Sequence, residues 1–140
     1  HRLIADDAAQ LHRLAPDTLK GICPPALRDF LEVRGLGVLN IRAMFGDRAI
    51  KHDKNLRLII HLEKMEARQL RAVDRLHGSR QSREIQGVAV PQVTLPVVSG
   101  LNLAVLVECA VRNHILHMEG YNADLDFIER QQQYLAHNKS

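Results

Sequence analysis

Tryptophan is absent from this chain, and phenylalanine and tyrosine together make up only 4% of it. Proteins that read single-stranded nucleic acid stack the bases on aromatic side chains, so this scarcity argues against such a platform. The net charge is only +3, and no run of five or six like charges forms a basic arm. We therefore expect no nucleic-acid partner.

Long apolar runs and paired cysteines are also missing. The most apolar window, LNLAVLVECAV, contains Asn102 and Glu108 and is shorter than the roughly 20 residues that a membrane helix needs. Cys23 and Cys109 lie far apart, and their spacing matches no redox or metal motif. We expect reduced thiols, no membrane segment and, with no signal-peptide pattern, a cytoplasmic location.

Strand-like and helix-like segments alternate along the 140 residues, which predicts a layered α/β or α+β domain. Strands are predicted at 38–41, at 56–62 and at 88–97. The second is expected to be covered on both faces because it is continuously apolar. The third is expected at a sheet edge or bulge because it contains two prolines.

Helices are predicted in three places, each from its capping residues. Pro24 and Pro25 are expected to start one that ends at Gly35. Ser99 is expected to cap a long helix through 118, and Asn122 a last one. Residues 8–21 read as irregular or edge structure, and the polar stretch 63–86 as a mobile loop.

The opening, HRLIADD, reads as the end of a buried strand followed at once by Asp6 and Asp7. Carboxylates at the carboxyl end of a strand lie where ligands bind in α/β sheets, and they can hold Mg²⁺ or accept a proton. An N-cap or a solvated turn is the more common explanation for an acid pair alone. A chain that begins within a strand suggests the second part of a larger catalytic domain.

Two further segments carry charge and glycine in suggestive patterns. In LEVRGLGVLN (31–40), Glu32 and Arg34 precede Gly35 and Gly37, which would let backbone approach an anion. A helix that ends at Gly35 and is followed by a tight turn would explain the same residues. In VDRLHGSRQSRE (73–84), arginines on a mobile loop could close over a phosphate, although a solvated connection is the simpler interpretation. His114 and His117 lack a third ligand for zinc.

Together these segments resemble the C-terminal catalytic domain of the HPr kinase/phosphorylase family. HRLIADD, LEVRGLGVLNI, FGDRAI, LRLIIHLE, VDRL, VPQVTLPV, NLAVLVECAVRNHIL and GYNA follow the family's order and spacing over residues 1–136. The resemblance implies a partial α/β P-loop kinase fold, similar to phosphoenolpyruvate carboxykinase, ending in helices. Residues 1–140 would then be the C-terminal part of one catalytic domain, with no second domain.

The resemblance also implies chemistry and partners. The family uses ATP, or pyrophosphate in some members, with Mg²⁺ to phosphorylate a serine of HPr, the phosphocarrier of the bacterial sugar phosphotransferase system. It removes that phosphate by phosphorolysis, and it assembles as a homo-hexamer. Phosphoryl transfer requires positioning, a metal and positive charge more than covalent help, which agrees with these residue types.

Site residues follow from the same resemblance. Asp7 matches the family's catalytic carboxylate, proton acceptor in the kinase direction and donor in reverse, and Asp6 its neighbour in the metal network. Glu32 matches a Mg²⁺ ligand and Arg75 an active-site arginine. The matched segment 31–40, which serves both reactions, includes Arg34, Gly35 and Gly37.

Two departures from the family pattern affect these expectations. No GxxxxGKS motif occurs, so these residues alone are not expected to bind ATP well, and we expect the phosphate-binding loop upstream. The segment matching the family's dephosphorylation motif, PVRPGR, reads PVVSGL and consists of Pro96, Val97, Val98, Ser99, Gly100 and Leu101. Apolar residues replace both arginines, which predicts a weaker phosphorylase.

Two alternatives remain from the sequence alone. One is a non-catalytic module that binds HPr and regulates without turnover. The other is a P-loop kinase that acts on another substrate. A GxxxxGKS motif a few tens of residues upstream would favour the enzyme over the binding module.

Overall fold

The computed structural model describes residues 1–139, which form eight strands and four α-helices in mixed order. Contacts divide the chain into two compact units. The first contains residues 1–57 and 83–90, and the second contains residues 58–82 and those from Pro91 onward. The mixed order of strands and helices confirms the predicted α/β content.

The first unit is built on two antiparallel sheets. Its three-stranded sheet has the order β1 (Gln10–Ala15), β2 (Thr18–Ile22), β5 (Asp53–Asn55). Its hairpin pairs β3 (Phe30–Val33) with β4 (Gly37–Asn40), and the short helix α1 (Ile41–Phe45) follows directly. The segment 8–21, predicted as irregular or edge structure, contains the β1–β2 hairpin, in which β1 is an edge strand and the register shifts between Arg13 and Ala15. The strand predicted at 38–41 is confirmed within one residue.

The core of the described chain lies in this first unit. Its five buried hydrophobic side chains are Leu19, Cys23, Ile50, Val88 and Val90. Residues 83–90 join the unit through polar contacts, because the Arg13 guanidinium donates to the Gln86 carbonyl and the Gln86 amide donates to the Leu11 carbonyl. The core therefore combines residues of the segment 19–50 with Val88 and Val90, which are distant from it in sequence.

The helix predicted from Pro24 to Gly35 is wrong. Pro25–Leu27 form a single 3-10 turn, and Asp29 then takes a positive φ of 74°, which interrupts any helix. Phe30–Val33 continue as β3, with Glu32 opposite Val38 of β4. The apolar spacing fits a helix, but in the fold the partner strand supplies the backbone hydrogen bonds instead.

The second unit contains three helices and the part of a three-stranded sheet that lies outside residues 83–90. The sheet order is β6 (Ile59–Lys64), β8 (Val88–Val97), β7 (Arg80–Ile85), with β6 and β8 parallel. Helix α2 (Ala67–Arg71) follows β6, and α3 (Leu103–Met118) and α4 (Ala123–His137) end the described chain. Among the described residues of this unit no side chain is fully buried, and Leu62 of β6 is 47% exposed. The prediction that residues 56–62 are covered on both faces is therefore wrong here.

Strand β8 is central, not at the sheet edge as its prolines suggest. The ladder with β6 begins at Gln92, so Pro91 lies before it. On the other side, the Thr94 N–H donates to the Ser79 carbonyl. Backbone N–H directions alternate along a strand, so the nitrogen of Pro96 faces the β7 side, as the Thr94 N–H does. Pro96 lies beyond the end of β7, where that strand offers no carbonyl to pair with. Both prolines thus lie at positions where the sheet requires no backbone N–H donor.

Two other boundaries differ from the sequence-based expectations. The stretch 63–86, predicted as a mobile loop, contains α2 and β7. Helix α3 is capped by Asn102, whose side chain accepts from the Val105 N–H, and not by Ser99. The last helix does begin after Asn122, as predicted, but the Asn122 side chain makes no capping hydrogen bond.

Candidate functional site

The two opening carboxylates follow a single β-bridge instead of a full strand. The Leu3 N–H donates to the Ala49 carbonyl at 2.8 Å, and the Lys51 N–H donates to the Leu3 carbonyl at 2.9 Å. The chain then bends, and Asp6 and Asp7 are exposed. The bridge holds this short segment beside Ile50 of the core, so the carboxylates project from a supported position.

The structure brings Asp6 to the 31–40 segment. Asp6 Oδ2 accepts a hydrogen bond from the Glu32 N–H at 2.9 Å, across 26 residues of sequence. Glu32 lies on β3 and its side chain is exposed. Three of the residues that sequence analysis selected, Asp6, Asp7 and Glu32, therefore lie in one place on the first unit.

The tip of the β3–β4 hairpin carries Arg34 and the two glycines. The Leu36 N–H donates to the Val33 carbonyl at 2.9 Å, which closes the turn. Gly35 and Gly37 both have a φ of +94°, a backbone region that disfavours side chains, and both positions are open to solvent. The glycines are therefore required by the turn, and they leave its backbone accessible.

The Mg²⁺ expected from the sequence would depend on the carboxylates of Asp6 and Glu32. Within residues 1–139, no group of three or more His, Cys, Asp or Glu side chains is arranged to hold a metal ion. Mg²⁺, however, commonly takes only one or two protein carboxylates and completes its shell with water and phosphate oxygens. Asp6 uses one oxygen for the Glu32 N–H, so its second oxygen and the Glu32 carboxylate are the atoms that would hold Mg²⁺.

Arg75 lies in the second unit, on a tightly bonded turn. Asp74 Oδ1 accepts from the Leu76 N–H at 2.8 Å and from the His77 N–H at 2.9 Å. The Gly78 N–H donates to the Asp74 carbonyl at 2.9 Å. These backbone donors lower the pKa of Asp74. The turn is therefore ordered, unlike the mobile loop predicted there.

A cavity of about 620 Å³ opens beside this turn within the second unit. Its walls come from the turn, from β8 and from α3, and they include both Arg75 and Pro96. Arginine and imidazole groups line it, among them His114 and His117, whose rings stack with centroids 6.4 Å apart. The structure thus places an arginine and the start of the 96–101 segment on one cavity.

The 96–101 segment leaves β8 and turns before α3. The Leu101 N–H donates to the Val98 carbonyl at 3.3 Å, and Gly100 has a φ of +91°. Leu101 is 43% exposed, whereas Val98 is half-buried. The position of the second missing arginine is therefore open to solvent.

Sequence analysis missed the contact between His77 and Asp124. Their side chains meet at 2.8 Å, 47 residues apart in sequence, and Asp124 is only 12% exposed. The hydrogen bond from His77 is the main cause that lowers the pKa of Asp124, with further help from the Leu125 N–H and Arg80. The Asp–x–x–His–Gly pattern signals the turn itself, but no local signal identifies Asp124 as the partner.

A membrane-spanning helix is not found in the described part of the chain, where none is both long and apolar enough. Cys23, which is buried, and Cys109, which is exposed, are both free thiols.

Comparison with known proteins decides the family. The model of the HPr serine kinase C-terminal domain matches residues 1–131. The chain belongs to this family. The HPr kinase/phosphorylase of Chromobacterium violaceum is 54% identical over 135 residues, covering 96% of this chain and 42% of that protein. The Nitrosomonas europaea HPr kinase/phosphorylase is 51% identical over 138 residues, covering 99% of this chain and 43% of that protein.

A solved structure supports the same assignment. The HPr(Ser) kinase/phosphatase of Coxiella burnetii superposes with a TM-score of 0.76 at 32% identity, over 91% of this chain and 76% of that one. The shared architecture is of mixed α/β type. The chain spans about two fifths of the length of the curated relatives it matches. The family resemblance drawn from the sequence is therefore confirmed.

Proposed function

We propose that this chain contributes catalytic residues to a bifunctional HPr serine kinase and phosphorylase, within a longer protein that uses ATP or pyrophosphate. Family membership over residues 1–131 and relatives named HPr kinase/phosphorylase at 51–54% identity support this function. The observation that carries the assignment to residues is the 2.9 Å contact between Asp6 and the Glu32 N–H. It joins the two segments in which the family's reactive groups are expected.

In the kinase direction, Asp7 would accept the proton of the serine hydroxyl group. The serine oxygen of HPr forms a bond to the γ-phosphorus of ATP, the bond from that phosphorus to the bridging oxygen breaks, and ADP leaves. Asp7, an exposed carboxylate beside Asp6, takes the serine proton. Asp6 and Glu32 would hold Mg²⁺, which supplies positive charge near the phosphate oxygens when bound.

The reverse reaction uses the same groups in the opposite sense. An oxygen of inorganic phosphate forms a bond to the phosphoserine phosphorus, and the bond from that phosphorus to the serine oxygen breaks. Protonated Asp7 gives its proton to the departing serine oxygen, and the pyrophosphate that has formed is released. Arg75 contributes positive charge for the phosphate. Because Val98 and Leu101 stand where the family often has arginine, we propose that phosphorolysis is the weaker activity.

Three broader features belong to the same proposal. The fold would be that of a P-loop kinase resembling phosphoenolpyruvate carboxykinase, and the location would be the cytoplasm. The assembly would be a homo-hexamer. Exposed apolar side chains on the last two helices support an assembly, for example Ile115 of α3 and Phe127 of α4, which are 45% and 55% exposed. Light scattering on the full-length protein measures the assembly directly.

The test uses the full-length protein and purified HPr. Asp7→Asn should lower phosphoryl transfer by about 10²–10⁴-fold in both directions, because the amide cannot exchange the serine proton. Asp17→Asn is the matched control: it makes the same change at an exposed carboxylate in the β1–β2 turn and should leave the rates near wild type.

Other outcomes separate the alternatives. Wild-type protein that binds HPr but transfers no phosphate would support the regulatory binding module. Transfer to a different hydroxyl compound, with HPr unmodified, would support a kinase of another substrate. Equal rates for Asp7→Asn and wild type would contradict the role of Asp7.

A further inference from the structure

The turn that carries Arg75 is ordered by its own backbone, but a turn can still move as a unit. Asp74 closes it through the N–H groups of Leu76 and His77, and Gly78 completes it. These bonds fix the backbone conformation from which the Arg75 side chain extends. They do not connect the turn to the rest of the second unit.

The contact between His77 and Asp124 provides such a connection. Asp124 is the second residue of α4, where a carboxylate is also favoured by the helix dipole. Because the pKa of Asp124 is lowered, the carboxylate is ionised near neutral pH and can only accept. We therefore assign the proton to His77 Nδ1, which donates to Asp124 Oδ2 at 2.8 Å.

The surroundings of this pair make it more than a surface contact. His77 is 47% exposed, but Asp124 is only 12% exposed and its carboxylate also interacts with the nearby Arg80, whereas ordinary surface ion pairs join two exposed side chains. His77 and Arg75 both lie on the cavity wall. Movement of the turn would therefore move a wall of the cavity together with its arginine.

We propose that His77 and Asp124 form a positioning pair that holds the turn bearing Arg75 against the start of helix α4. In this role each residue acts through the position of Arg75 and not by contact with substrate. The inference rests on the proposed function, because Arg75 is assigned to catalysis there. Its structural part, the tethering of the turn, stands independently of any activity.

The kinetic test uses the full-length protein with His77→Ala, Asp124→Ala and the double variant. Each single change should lower kcat for transfer to HPr about tenfold, within the ~100-fold that a displacement of 1 Å can cost. The KM for HPr should change by less than about twofold, since the proposed role requires no contact between the pair and substrate. The double variant should be no slower than either single variant, because both remove the same contact.

Two further variants separate positioning from general damage. His77→Asn keeps an N–H donor near the place of Nδ1, so it should restore most of the lost kcat. Arg112→Ala removes another hydrogen-bonded ion pair, with Glu108 on α3 at 2.7 Å, away from the turn, and should leave kcat unchanged. Additive losses in the double variant, or equal losses in His77→Asn and His77→Ala, would overturn the proposal.

A second measurement does not depend on activity. Hydrogen exchange of the amides in residues 73–79 should accelerate about tenfold or more in His77→Ala and in Asp124→Ala, but not in Arg112→Ala. Unchanged exchange would refute the tether even if the protein is an active kinase. Faster exchange with unchanged kcat would refute the positioning role. A wild-type protein that does not modify HPr would refute the proposed function alone, since exchange still decides the tether.

Discussion

Leu19 is, with Cys23, one of the two most deeply buried side chains of the described chain, and it lies in the core of the first unit. It is 1% exposed on β2, and its carbonyl accepts from the Leu56 N–H at 2.8 Å. Leu19→Ala removes three buried carbons, worth about 0.8 kcal/mol each, and leaves a cavity that adds to the loss. We expect the free energy of unfolding to fall by about 3–4 kcal/mol, a large share of the 5–15 kcal/mol that holds a typical protein together.

The control for this substitution lies in the same hairpin. Leu14 on β1 is 61% exposed, so Leu14→Ala should cost less than about 1 kcal/mol. Urea unfolding followed by far-UV circular dichroism measures both, since the chain has no tryptophan to report by fluorescence. A loss for Leu19→Ala no larger than that for Leu14→Ala would refute the location of the core.

Three further predictions concern the site and its supports. Leu101→Arg should raise pyrophosphate release from serine-phosphorylated HPr with little change in the kinase rate, because the position is exposed and a guanidinium binds phosphate oxygens; unchanged release would contradict this. Gly37→Ala should lower the free energy of unfolding by about 1–2 kcal/mol, from backbone strain alone, in urea titrations. Tyr121→Phe removes the 2.6 Å hydrogen bond that is the main cause lowering the pKa of Asp126 below its ordinary value of 3.8. Wild type should therefore exceed Tyr121→Phe in stability above about pH 4, and the difference should vanish as acid protonates Asp126; a difference that persists at low pH would contradict this assignment.

Much of the local structure was predictable where the signal is local. Asn122 marks the start of α4, and the apolar run ending at Leu62 marks β6 within a few residues. Capping and apolar continuity involve neighbours in sequence, so they can be read without the fold. The cap at Asn102 was missed because Ser99 offers the same chemistry three residues earlier, and only the observed turn at 98–101 decides between them.

The segment 31–40 shows where local signals fail. Its apolar spacing fits a helix, yet Leu31 and Val33 are the less exposed residues of β3, alternating with Phe30 and Glu32. Two glycines in the turn were a usable hairpin signal. The choice between helix and strand was made by partners elsewhere in the chain, namely β4 and the Asp6 carboxylate.

The sequence by itself determined the family, because eight segments in a fixed order are more specific than any one motif, and the family carries expectations for Asp7, Glu32 and Arg75. Only the tertiary structure decided that Asp6 meets the Glu32 N–H and that His77 meets Asp124. Each of these contacts joins residues 26 to 47 positions apart. Such pairings depend on how strands and helices pack, and no pattern among neighbouring residues specifies them.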